Sequence, residues 1–177
     1  MITPLQALGR AVTMMAGVMP LAASASWTAG IELGRTEAGG ELVRLGVSGP
    51  RAYALGQARA WSWDVTPEVV VGWWSDGEYG RSVWEVGVTP VFAAHRAVPA
   101  GQIGINLGIG AHLLSAVRFE DRHLGSAFQF GDHVGVEWRS PNGSWTLAYR
   151  YQHLSNASIQ SPNDGVEFHL LRLDWSF

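Results

Sequence analysis

The 177-residue chain has no cysteine and no lysine; all twelve of its basic residues are arginine. Without cysteine there are no disulfides, no thiolate chemistry and no thiolate-held metal. The lack of lysine is a matter of composition and carries no functional weight. Charge is sparse, at 15% of residues with a net of −3, so there is no basic surface to recruit nucleic acid. Beyond residue 25 no run of roughly 20 apolar residues occurs, which excludes a membrane-spanning helix. Sustained helical periodicity is also missing.

The first 25 residues have their own character. Arg10 precedes the apolar stretch AVTMMAGVMPLAA, and Ala23-Ser24-Ala25 follows as an A-x-A cleavage signal. The stretch is short for a membrane anchor, which is the competing reading, and the small-residue site follows it directly. A cleaved signal peptide over 1–25 and a single domain over 26–177 are therefore expected.

The mature chain alternates with period two. In WTAGIELG, Trp27, Ala29, Ile31 and Leu33 share a face opposite Thr28, Gly30, Glu32 and Gly34. Ile103, Ile105, Leu107 and Ile109 oppose Gln102, Gly104, Asn106, Gly108 and Gly110. The same pattern marks 41–48, 84–92, 128–139, 145–152 and 167–177. A further strand over 67–75 has ambiguous facing, and residues 50–66 form a connection without a clear assignment. Turn-rich segments such as SDGEYG, RSPNGS and SPNDG separate the eight predicted strands.

Facing decides the environment. One face carries large aliphatics, with Trp and Tyr towards strand ends. The other carries glycines with Glu32, Arg44, Glu85, Glu137, Arg150, Arg172 and Asp174. A soluble ligand-binding barrel would turn the aliphatic face inward, leaving a poor exterior of glycine and scattered charge. The pattern instead fits an all-β, eight-stranded antiparallel transmembrane β-barrel of the bacterial outer membrane, with a lipid-facing apolar band and aromatic girdles. A terminal Phe177 closing an alternating strand agrees with this. Eight strands enclose too little space for a pore, so a packed polar interior is expected. With both termini periplasmic, the loop between the last two strands lies outside the cell.

That loop follows the segment YQHLSNAS. His153 and Ser155 continue the row of Trp145, Leu147, Tyr149 and Tyr151; Glu167 continues the row of His169, Leu171, Leu173, Trp175 and Phe177. Both rows face lipid, where ionisable groups are costly and mark candidate functional sites. Serine as nucleophile, histidine as base and a carboxylate to orient the imidazole are the parts of a serine hydrolase. Asn156 and the amides that follow would supply oxyanion donors. An H-x-S triplet alone reads better as a polar strand end at the membrane boundary; facing, location and Glu167 bring the catalytic reading level with it.

The stretch YQHLSNASIQSPNDGVE (151–167), with LGSAFQFGDHVGVEW (124–138), closely resembles the C-terminal motif and sixth strand of the PagL family of lipid A 3-O-deacylases. The resemblance implies His153 as base, Ser155 as nucleophile, Glu167 as acid, and Asn156 and Ala157 at the oxyanion segment. It implies lipid A of lipopolysaccharide as substrate, among outer-membrane lipids, with release of a 3-hydroxy fatty acid and no cofactor or metal. The active site would face the extracellular leaflet. A homodimer is compatible with the sequence. Two departures stand out: Leu154 replaces a common aromatic, and Ser158 stands where glycine is expected.

Other residues carry weaker signals. His95 and His123 are expected in connections, and His112 and His133 have lumen parity, without metal-ligand spacing. His169, Arg118 and Arg122 could meet phosphates or be surface charge. Asn163-Asp164-Gly165 reads as a turn. Two other function classes compete: a non-enzymatic adhesin or structural barrel, and a phospholipase, although phospholipase barrels are longer and calcium-dependent.

Overall fold

Alternation in which one face is apolar throughout can bury its polar face only by closing the sheet on itself. In the computed structural model, which describes residues 26–50, 53–58 and 60–177, the chain does this. The ring strands are β1 (Thr28–Arg35), β2 (Glu41–Ser48), β4 (Trp61–Asp76), β5 (Arg81–Val98), β6 (Gly101–Leu114), β9 (Phe128–Arg139), β10 (Trp145–Ser155) and β11 (Val166–Ser176). They pair antiparallel in the order β2-β1-β11-β10-β9-β6-β5-β4, and β2 closes on β4. The result is an eight-stranded barrel. The short β3 (Tyr53–Ala58) adds to β4 outside the ring, and β7 (Arg118–Phe119) pairs with β8 (Arg122–His123) in a hairpin within the β6–β9 connection. The expected signal peptide lies outside the described residues.

The unassigned stretch 50–66 divides into β3 and the start of β4, a strand of 16 residues where the sequence suggested nine. Pro67, the first residue of the predicted strand, pairs in register with Pro90 inside the sheet. Neither proline can donate to the ladder, so apposing them concentrates the loss at one rung. The ambiguous facing of 67–75 also settles: Val69, Val71 and Trp73 point out, and Val70 and Trp74 point in.

The outer wall is apolar, with Ile31, Leu33, Leu45, Val88, Ile105, Ile109, Val134 and Leu173 among its exposed residues. Trp145 and Trp175 stack at 6.2 Å near the end that carries the termini. An exterior of this kind suits lipid rather than water.

The expectation of a polar interior holds only in part, because the lumen is layered. At the end opposite the termini, Leu42, Trp74, Phe119, Leu124, Leu154 and Phe168 form a buried apolar cluster, with Trp74 edge-on to Phe168 at 4.9 Å. Hairpin residues Phe119 and Leu124, from the β6–β9 connection, help fill this layer, and it is the tertiary folding of that connection that strand alternation does not reveal. The Leu154 departure is thereby explained: it is fully buried in this cluster.

Below this layer lies a network of charge. Arg44 donates to Glu32 at 2.6 Å, to Glu85 at 2.9 Å and to Gln152 at 2.9 Å. Trp74 Nε1 donates to Glu85 at 2.7 Å, tying the two layers together. Arg150 donates to Glu68 at 2.9 Å, and Arg172 reaches Glu68 at 3.2 Å and Asp174 at 2.8 Å. Towards the termini the lumen opens into a polar vestibule of roughly 500 Å³ lined by Asp64, His95, Glu137 and Arg139. His95 is thus a buried lumen residue of β5 bonded to Glu137, and not the connection residue that the sequence suggested.

Buried ion pairs are costly to break from one side only. Arg44→Leu removes the closest arginine partner of both Glu32 and Glu85, and we expect it to cost about 3–5 kcal/mol. A lowered temperature for the shift between folded and unfolded bands on an unheated gel would report this.

Candidate active site

The site is set by strand register. Asp132 of β9, His153 of β10 and Glu167 of β11 are direct cross-strand neighbours, forming one row across the outer wall. The next row, further from the β10–β11 loop, is Val134, Tyr151, His169 and Arg35. The one after it is wholly hydrophobic apart from a tyrosine: Val136, Tyr149, Leu171 and Leu33. The wall therefore changes from apolar to ionisable over two rows, and His153 sits where that change completes.

His153 Nδ1 lies 2.9 Å from Glu167 Oε1. A carboxylate can only accept, so Nδ1 carries the proton and Nε2 keeps its lone pair as a base. Both side chains are about one-third exposed, at 35% and 29%, which leaves the imidazole reachable from outside the barrel. Gly165, with φ +67°, comes so close to the ring that a Cβ there would stand 2.7 Å from His153 Cε1.

Ser155 ends β10 on the same outer face, two residues from His153, and its backbone registers with Phe130 of β9. Two residues of strand separate the Cα atoms by about 6.6 Å. The Ser155 hydroxyl makes no hydrogen bond among the described residues. The structure thus brings His153 and Glu167 into contact and sets Ser155 beside them, without a hydroxyl–imidazole hydrogen bond.

The loop after Ser155 is held by Asn156, in a different way from that expected. Its side chain is fully buried, and Nδ2 donates to Leu124 O at 2.8 Å and to Gln160 O at 2.9 Å. Its backbone N–H donates to Asn163 Oδ1 at 2.9 Å. Every Asn156 donor is thus engaged, and none is left for the oxyanion contact expected of it. The Ala157 and Ser158 amides make no hydrogen bond among the described residues. Asn163, its Oδ1 fixed by Asn156, has an Nδ2 with no partner among the described residues.

Ala157 and Ser158 both adopt left-handed backbone, with φ 52° and 61°. This gives a physical reason to expect glycine at 158, since the conformation costs a residue with a Cβ about 1–2 kcal/mol. Ser158→Gly relieves that cost, while the freer unfolded chain offsets about 0.5–1 kcal/mol of it. We expect the variant to keep its catalytic activity and to be no less stable than the parent; parallel activity and thermal-unfolding measurements check both.

Three residues of the site were missed or placed otherwise by sequence reasoning. Asp132 shares the parity of Phe130 and Val134, so an ionisable residue in a lipid-facing row was the available signal. Asn163 was read only as a turn residue. Arg122 was weighed as a phosphate contact, but its Nη1 donates to Glu167 Oε2 and to Gly165 O, each at 3.1 Å. His169 Nδ1 lies 2.6 Å from the Tyr149 hydroxyl, a pairing within the wall.

Known proteins resemble this chain in sequence and in fold. The family model described as lipid A 3-O-deacylase (PagL) matches residues 42–176. A lipid A deacylase PagL of Bordetella bronchiseptica is 38% identical over 117 residues, covering 64% of this chain and 63% of that protein. One of Pseudomonas aeruginosa is 27% identical over 169 residues, covering 89% and 96%. The crystal structure of the outer membrane enzyme PagL superposes with a TM-score of 0.77 at 26% identity, covering 84% of this chain and 98% of the other. The chain belongs to the PagL family of lipid A 3-O-deacylases.

Proposed function

We propose that this barrel is an outer-membrane esterase that hydrolyses the 3-O-linked acyl ester of lipid A with Ser155, His153 and Glu167. The observation that carries the reading is the His153–Glu167 pair at 2.9 Å on the outer wall, where a base is of use only to a substrate in the membrane. A soluble ester would meet an opening towards water; a lipid arrives laterally, at the border of the apolar band.

In the reaction, Ser155 Oγ attacks the ester carbonyl carbon as its proton passes to His153 Nε2, and Glu167 stabilises the imidazolium. The tetrahedral oxyanion forms against the free amides of Ala157 and Ser158 and the Asn163 amide group. Collapse breaks the bond to the sugar oxygen, which leaves as the 3-hydroxyl after taking the proton from His153. Water, activated by His153, then attacks the acyl-enzyme, releasing a 3-hydroxy fatty acid and restoring Ser155.

The loops at the site end lie opposite the termini, which supports an active site at the extracellular leaflet, with both termini periplasmic. All residues of the proposed site come from one chain, so a homodimer is not needed for the chemistry. A non-enzymatic barrel has no use for a coupled imidazole and carboxylate on its lipid side. Mass spectrometry of lipid A from cells with and without the protein tests the reading: loss of one 3-hydroxyacyl group is expected. Unchanged lipid A, with folded protein in the membrane and in detergent–lipid A mixtures alike, refutes it.

A further inference from the structure

We propose that Arg122 is a positioning residue, holding Glu167 so that the carboxylate presents one defined oxygen to His153. The inference takes the proposed deacylation as its frame but rests on separate contacts. Glu167 divides its two oxygens: Oε1 faces His153 Nδ1 at 2.9 Å, and Oε2 accepts from Arg122 Nη1 at 3.1 Å. A glutamate has three rotatable bonds, and at 29% exposure it is free to swing unless something holds its far oxygen. The guanidinium does so, and supplies a countercharge at the edge of the apolar wall, where a lone carboxylate is poorly solvated.

Arg122 is itself held. Its other contact is the carbonyl of Gly165, the residue packed against the His153 ring. Next to it, His123 N–H donates to Asp164 Oδ2 at 2.6 Å, and Asp164 N–H returns to His123 O at 3.3 Å. The hairpin that carries Arg122 is anchored in the lumen by Phe119 and Leu124, both fully buried. Burial of two apolar side chains inside the barrel thus fixes an arginine outside it. A mobile surface arginine searching for phosphate would have no such anchoring.

The test is kinetic and spectroscopic, on full-length protein in detergent with lipid A as substrate. Arg122→Gln should lower kcat about tenfold to a hundredfold, as expected for a misplaced catalytic group, with KM little changed. Arg122→Lys should recover part of the loss. In a Glu167→Ala background, Arg122→Gln should have no further effect, because its role passes through that carboxylate. Independently of turnover, the ¹⁵N ring signals of His153, assigned by their loss in His153→Gln, should move in Arg122→Gln. A raised KM at unchanged kcat, full additivity with Glu167→Ala, or unmoved His153 signals overturns the proposal. An inactive parent protein would instead count against the deacylase reading, leaving the His153 signals to decide the role of Arg122.

Discussion

Ser155→Ala should leave the 3-linked acyl chain of lipid A in place, with a loss of about a thousandfold or more, since no other group supplies the bond-forming oxygen. His153→Ala should be as severe, because an unassisted serine hydroxyl is a weak nucleophile at neutral pH. The double variant should be no worse than either alone, as the two act as one unit. Glu167→Ala should weaken catalysis less, because imidazole remains present but loses the partner that fixes its tautomer. Lipid A mass spectrometry with each variant, checked for folding by heat-dependent gel mobility, reads out the series. A Ser155→Ala protein that still removes the chain would sink the mechanism.

Gly165→Ala should lower activity by about a hundredfold while sparing the fold. The added Cβ would stand 2.7 Å from His153 Cε1, and the backbone there has φ +67°, which disfavours any residue with a Cβ. The closest contact is with the tip of a side chain, and the backbone carbonyl of Leu154 stands further off at 3.3 Å, so the ring yields before the barrel does. Displacement of a base by about 1 Å costs on the order of a hundredfold in rate. We expect kcat to fall by that order, with the unfolding temperature lowered by only a few degrees. Equal losses of stability and activity would mean that the glycine serves the loop rather than the base.

Much of this was legible because a β-strand exposes its logic in alternation. Lumen residues Glu32, Arg44 and Arg172, and wall residues Ile31, Leu45 and Leu173, are where parity puts them. The row His153–Glu167 follows from the same arithmetic, since a hairpin with known ends fixes its register. Parity is silent on what a connection does after it leaves the sheet. The hairpin 118–123 returns over the mouth of the barrel, and neither the apolar layer under it nor the Arg122–Glu167 contact has a sequence signature. Asn156 shows a subtler limit. Its position beside Ser155 suggested donors for the substrate, but an asparagine next to two left-handed residues is equally suited to closing the loop, and its partners decide between the two. Asp132 was within reach; an alternating row scanned for its apolar members hides the one that does not fit.

The layered lumen has a consequence for the cell as well as for the fold. Water and small ions can enter the vestibule from the side of the termini, but they meet salt-bridged side chains and then a close-packed hydrocarbon stopper around Trp74 and Phe168. A barrel packed in this way is expected to add no leak conductance to the membrane that holds it. With the proposed site on the outside of the cylinder, the hole through the middle is free to be sealed.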